Sequence, residues 1–193
     1  LEALAPDAQP VTAYKPAGDR AVYDSAYGAW DGVPVRDHYR VAWRCMAANS
    51  GERTLIPAAL PPGATHVDGI FSAGAGDAKT LALLGGVLSS VLSDFQMRSA
   101  PKNHIRAPQV ERVAAPELGH PLVPRLILRW LRLNCLTSAF ADLWSGAWES
   151  SFASDEWLLG KAYPDAPELG DVGPEWTPDT PLRRDLDRRN ALV

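Results

Sequence analysis

Cysteine is scarce in this chain of 193 residues, and so are the marks of a secreted, membrane-bound or catalytic protein. The two cysteines, Cys45 and Cys135, lie far apart inside apolar runs. That spacing gives neither a disulfide framework nor a zinc site. Buried free thiols in a reducing cytoplasm are the expectation, with a single disulfide the lesser alternative. No run of 18 apolar residues occurs, so no membrane span is expected. The opening Leu1-Glu2-Ala3-Leu4-Ala5-Pro6 has no basic region and no apolar stretch, so it does not read as a signal peptide. It also lacks an initiator methionine, and a fragment of a longer protein is expected.

Catalytic patterns are missing too. None of the four histidines, His38, His66, His104 and His120, stands beside a serine in a Gly-x-Ser-x-Gly setting. A nuclease would need clustered carboxylates with a lysine to hold a divalent metal. Asp94, Glu111 and the Asp155-Glu156 pair with Lys161 do not match that arrangement. No metal site is assigned.

What is present is a chain able to fold. Apolar residues make up 46%, enough for a real core, while proline and glycine form about a sixth and promise many loops. The net charge of −4 is unevenly spread: −3 over residues 1–35, +5 over 36–136 and −6 over 137–193. A basic middle between acidic ends is compatible with a nucleic-acid face. Ordinary surface charge with an acidic solvated tail explains it as well.

Residues 1–35 read as a connecting arm of loops with one short strand, in which Trp30, Tyr14, Tyr23 and Tyr27 pack against the body. In 37–48, Tyr39, Val41 and Trp43 alternate with Arg40, Ala42 and Arg44. The alternation favours a strand over a short helix and puts both arginines on one face. Residues 54–60 and 66–72 are further strand candidates, the first stopped by Pro61-Pro62-Gly63. Asp77 is an N-cap for a helix over 78–96, with Leu81, Leu84, Leu88, Val91 and Phe95 on one face. Gly85 and Gly86 invite close approach by a neighbour. A basic loop follows, Arg98 to Arg106, then a short strand over 110–115 and a second long helix over 123–148. Leu126, Trp130, Leu133, Phe140 and Trp144 form its apolar face. Arg125, Arg129 and Arg132 form a basic stripe, read as a solvated face or a contact to an acidic surface of a parent protein. Residues 149–193 are an acidic, proline-rich tail, docked by Trp157, Leu158, Leu159 and Trp176 and ending in the start of a helix.

Three stretches carry a family resemblance. Residues 39–63 place two strand-like runs around the polar turn Asn49-Ser50-Gly51-Glu52-Arg53-Thr54. Residues 80–98 form a helix leading to Asp94-Phe95-Gln96-Met97-Arg98. Residues 120–144 form the helix that follows a strand ending in proline. Together they resemble the C-terminal specificity region of type IIG-like restriction-modification and phage-defence adenine-N6 DNA methylases, over about residues 36–148. The resemblance implies a target-recognition domain that clamps double-stranded DNA opposite the methylase core of its parent protein.

Methyl transfer itself needs a glycine-rich turn for S-adenosylmethionine and an Asn/Asp-Pro-Pro-aromatic loop for a flipped adenine. Phe71-Ser72-Ala73-Gly74-Ala75-Gly76 imitates the first, and Leu60-Pro61-Pro62-Gly63 falls short of the second. Leucine cannot accept a hydrogen bond from an amine, and glycine cannot stack on a base. The glycine turn is therefore read as a tight structural connection. No cofactor is expected in this chain; S-adenosylmethionine belongs to the parent's missing core.

What remains is the chemistry of holding DNA. Phosphates need Lys, Arg and amides, and base edges need forked donors or side-chain amides. The candidates are Arg40, Arg44, Asn49, Arg53, Arg98, Lys102, Asn103, His104 and Arg106, with Asn49 and Asn103 as possible adenine readers. Equally, Arg44 and Arg53 would serve to pin the turn through Glu52 or Asp37. The expected fold is α+β: a small mixed sheet packed with two long helices, plus an irregular tail. The expected function is a non-catalytic DNA specificity domain in the cytoplasm. A protein-contact scaffold of the same defence protein is the alternative, and an enzyme of unrecognised type comes after it.

Overall fold

The computed structural model describes residues 1–9, 17–26, 28–48, 50–99, 103–158 and 163–192. Tyr14, Tyr27, Asn49, Lys102 and Leu159 lie outside the described residues. Among the described residues, helices and short antiparallel strands combine in an α+β arrangement, as the composition of runs suggested.

The N-terminal arm carries a helix, Arg20–Ser25 (α1), and a hairpin of Ala29–Trp30 (β1) with Val33–Pro34 (β2). Asp31 and Gly32 turn the hairpin at φ 49° and 79°, the left-handed pair that a two-residue hairpin loop requires. The main sheet follows. Arg40–Arg44 (β3) lies between Pro57–Leu60 (β4) and Ile70–Ala73 (β5), with Ala42 opposite Ala58 on one side and Ser72 on the other. Both pairings are antiparallel, so the expected mixed sheet is instead antiparallel throughout. Val41 and Trp43 point into the core and are almost fully buried. The strands are shorter than their apolar runs for a specific reason. The amides of Thr54 and Leu55 are both taken by Asp94 Oδ1, at 2.7 Å each, and are lost to the ladder.

Each of the two long helices expected from periodicity is broken. The first becomes Ala78–Ser89 (α2) and Val91–Ser99 (α3), bent by 57°. Asp77 caps α2 by accepting from the Thr80 amide at 2.8 Å. At the break, Ser90 adopts extended backbone (φ −68°, ψ 152°), and its Oγ accepts from the Ser93 amide at 3.1 Å. Serine competes with the helix in this way wherever its hydroxyl restarts a turn. The strand expected over 110–115 does not form: a short helix, Ala107–Val110 (α4), ends at its first residue, and 111–115 are turn and loop. Pro108 supplies a helix-ready φ in its first turn, and the Gln109 side chain accepts from the Arg106 amide at 2.9 Å. The second long helix becomes Val123–Asn134 (α5) and Ala141–Ala147 (α6), separated by a 3-10 turn over Ser138–Phe140. Thr137 is extended there (φ −137°, ψ 167°), and the Ser138 amide bonds the Pro6 carbonyl at 2.8 Å, tying the first residues to the break.

α2 is wedged between the sheet and α5, so its glycines become legible. A Cβ on Gly85 would fall 2.1 Å from the Trp130 ring, and one on Gly86 would fall 2.8 Å from Leu126 Cγ. The indole fills the space that glycine leaves. Trp130 and Trp144 are the largest fully buried apolar side chains in the core.

The acidic tail is sewn to α5 rather than solvated. Arg129 holds the buried Asp155 through two bonds of 3.0 and 3.1 Å. Arg132 is buried and donates to the carbonyls of Glu168, Leu169 and Thr180 at 2.6–2.9 Å. Burial pushes its pKa down to about 10, against the pull of Asp187, Asp171 and Asp155. Of the stripe read as a solvated face or a contact to an acidic surface, Arg129 and Arg132 form an internal clamp, invisible without the fold because their partners lie 26–48 residues away, while Arg125 stays half-exposed at its rim. Trp157 and Trp176 dock as expected, donating to the carbonyls of Pro167 and Cys135. The chain closes with Asp185–Ala191 (α7), which rests on α5 through Leu133, Leu182 and Ala191. Cys45 and Cys135 are both buried and free. Burial raises the Cys135 thiol well above its usual range.

Candidate nucleic-acid interface

One carboxylate organises the region that the sequence marks as cationic. Asp94, in the first turn of α3, is buried, with a side chain only 8% exposed. Its Oδ1 accepts the Thr54 and Leu55 amides, and its Oδ2 receives Arg98 Nε at 2.9 Å, one turn along the helix. Arg53 Nε approaches Oδ1 at 3.8 Å, while Arg53 Nη2 donates to the Ser89 and Ser90 carbonyls at 2.6 and 3.2 Å. The Ser89 carbonyl lies at the end of α2, so Arg53 closes that helix, while the Ser90 carbonyl also accepts the Asp94 amide at 3.2 Å as α3 begins. Arg98 Nη2 reaches on to the Gly51 carbonyl at 2.7 Å and fixes the turn itself. The polar turn and the Asp94–Arg98 segment are thereby knotted together.

The candidate residues differ in what their side chains already hold. Arg40 is 1% exposed, and its guanidinium is spent on the backbone carbonyls of Arg36, His38 and Ala64. Its expected role as a DNA contact is corrected: the group is sealed between the local carbonyls of Arg36 and His38 and that of Ala64, and is not available to a duplex. Arg53 and Arg98 keep partial exposure, yet each is committed to Asp94 and to backbone carbonyls. The partner for Arg53 is Asp94, 41 residues away, rather than the neighbouring Glu52. Asn49 and Lys102 lie outside the described residues.

Arg44, Asn103, His104 and Arg106 gather at one end of β3. Beyond β3 the chain continues as Cys45–Ala47 and meets residues 103–105. The Ala47 amide bonds the Asn103 carbonyl at 3.1 Å, and the Ile105 amide bonds the Cys45 carbonyl at 2.7 Å. Met46 and His104 are the antiparallel bridge pair, and both are exposed. Asn103 and Arg106 are exposed as well, while Arg44 is half-buried. Sequence reading missed two contributors. Asp94 had its signal in the i, i+4 spacing with Arg98. Arg112 is exposed and stands beside α3, where Gln96 donates to its carbonyl at 3.0 Å; no sequence motif marked it.

The glycine turn has a structural occupant. A Cβ on Gly74 would lie 2.3 Å from the Trp30 ring, so the hairpin indole is seated on the turn. Trp30 also packs against His38, with ring centroids 5.4 Å apart. A groove of about 430 Å³ runs between α2, α5 and α7, lined by Gly86, Leu92, Leu126, Trp130, Leu133 and Leu192 among others. Its charged member, Arg129, is already paired with Asp155. Among the described residues no cluster of His, Cys, Asp and Glu is placed to hold a metal ion. Nor is any single helix among them long and apolar enough to cross a membrane.

The Asp94 knot is sensitive to acid. Burial, the largest influence, pushes its carboxyl up, but the Leu55 and Thr54 amides with Arg53 and Arg98 outweigh it and hold the pKa below the usual carboxylate range. The unfolded chain, with an ordinary carboxyl, takes up its proton first as the pH falls. The stabilisation is therefore full above about pH 4 and is lost as pH drops through the depressed folded value. Denaturant titrations at stepped pH should show stability falling below about pH 4, and Asp94→Asn should flatten that fall. Asp77, held low by the Thr80 amide and hydroxyl, will leave some residual slope. An unchanged slope in the Asn variant would remove Asp94 from the account. No family model matches the chain, and neither curated proteins nor solved structures give a match.

Proposed function

We propose that this chain is a non-catalytic DNA-binding module that helps a restriction-modification type adenine-N6 methylase choose its site. The S-adenosylmethionine chemistry would reside in a separate methylase core. One observation carries the reading. Two of the three stretches that resemble such specificity regions, 39–63 and 80–98, are joined through Asp94, and the joint leaves Asn103, His104 and Arg106 exposed beside Cys45–Ala47. A rigid support with exposed polar side chains at its rim suits base-edge and phosphate contacts. Buried free thiols suit a reducing cytoplasm.

The test is duplex binding as a function of salt. Three or four phosphate contacts would lower affinity on the order of a hundredfold between 50 and 200 mM salt. Fluorescence anisotropy with a labelled duplex should show that decline, starting from a Kd at or below about 10⁻⁴ M at the low-salt end. Binding that is absent there, or indifferent to salt, would overturn the proposal.

A second reading, a protein-contact domain of the same defence protein, is favoured by α3. Val91, Leu92 and Phe95 are 57%, 80% and 67% exposed on that helix, an apolar surface of the kind that marks protein contacts. Salt-independent association with a methylase core, lost on Leu92→Glu, would be its signature.

A further inference from the structure

We propose that Arg44 and Arg106 form a two-pronged phosphate clamp, a sequence-independent anchor on the duplex backbone; this rests on the DNA-binding reading above. The first ground is the use made of every other arginine side chain described outside this rim. Arg36, Arg53, Arg98, Arg125, Arg129, Arg184 and Arg189 stand against carboxylates. Arg40, Arg132, Arg183 and Arg188 donate to backbone carbonyls. Among the described residues, the side chains of Arg44, Arg106 and Arg112 have no such partner.

Arg44 is the half-buried member of those three, and its Nε is buried without a hydrogen-bond partner. A donor held in that state is costly, and an anion arriving from outside would satisfy it. Asp68 lies beside Gly69, whose carbonyl takes the Cys45 amide next to Arg44. The Asp68 carboxylate accepts from the Gly69 amide at 3.0 Å and makes no ion pair with Arg44.

The second ground is topology. Cys45 faces Ile105 in an antiparallel ladder, with Met46 opposite His104. Arg44 precedes the first strand of that ladder and Arg106 follows the second, so both leave it at the same end. Two guanidinium groups at one end of a short ladder, without counter-charges, are suited to adjacent backbone phosphates through charge-assisted, forked hydrogen bonds. His104, two residues before Arg106 and so on the same side of the ladder, is then the group placed toward base edges.

The experiment compares wild type, Arg44→Gln, Arg106→Gln and the double variant, each titrated with two duplexes of unrelated sequence across a salt series. Each single change should reduce the salt slope by about one and the double change by about two. Per residue, the affinity drop between 50 and 200 mM salt should shrink by about 3- to 4-fold, equally for both duplexes. Wild-type slopes in the variants would overturn the clamp while leaving the DNA-binding reading intact. A loss confined to one sequence would make these residues base readers and also overturn it. Absence of duplex binding by wild type would sink the underlying reading and the clamp with it. Should Arg44→Gln not fold, Arg44→Lys and Arg106→Gln decide: the lysine must keep the slope, and the glutamine must lower it.

Discussion

Replacing Asp94 with alanine should destabilise the fold by about 3–5 kcal/mol, the usual consequence of removing one member of a buried, hydrogen-bonded charge cluster. For a chain of this size that corresponds to a fall in melting temperature of roughly 6–20 °C. The change strands the buried amides of Thr54 and Leu55 and takes the counter-charge from Arg53 and Arg98, which keep only their carbonyl partners. Asp94→Asn should cost less, because an amide oxygen still accepts from the backbone while the charge is gone. The loss should also spread to the turn at Gly51, since Arg98 is aimed at its carbonyl through Asp94. Amide exchange across residues 50–56 should quicken in the alanine variant before the rest of the sheet responds. A melting temperature within about 2 °C of wild type, or less than about 1 kcal/mol, would mean that the knot is ornamental.

The second large effect sits between α2 and α5. Trp130→Ala should cost about 3–5 kcal/mol, as for other fully buried large side chains. Gly85→Ala should cost about 1–3 kcal/mol through overpacking, because its new methyl would fall 2.1 Å from the indole. Alanine is otherwise the better helix former by about 1 kcal/mol. Once Trp130 has been cut to alanine, Gly85→Ala should therefore become neutral or stabilising. That reversal of sign, read from urea titrations of the four proteins, is the test. A Gly85→Ala effect of the same sign and size in both backgrounds would show that the glycine serves something other than the indole.

The sequence announced some of this and hid the rest for identifiable reasons. Asp77 was legible as an N-cap because capping is local. Most of the apolar face, Leu126, Trp130, Phe140 and Trp144, survives the break between α5 and α6 because the chain resumes packing on the same core, while Leu133 turns to a second cluster with Leu169, Leu182 and Ala191. The corresponding face on the first helix does not survive. The bend at Ser90 swings Val91 and Phe95 outward, so a spacing that fits one straight helix describes two. The arginines were the hardest. Arg40 and Arg44 occupy the same face of the same strand, yet one is wrapped in carbonyls and the other has none. The turn over Arg36 and His38 supplies two of the carbonyls that take Arg40, but the third comes from Ala64, 24 residues away, and no local pattern marks it. For the same reason Arg53 stood open between a DNA contact and a pin for the turn through Glu52 or Asp37, whereas its partners lie 36–41 residues away.

Where this polypeptide can be shortened follows from Arg132. Removing the segment that contains Glu168, Leu169 and Thr180 would take away the three oxygen atoms that surround a positive charge already sealed inside. Anyone trimming the apparently dispensable acidic end would also uncover Leu133, whose buried partners Leu169, Leu182 and Ala191 all lie in it, and insolubility rather than a smaller soluble body would be the outcome.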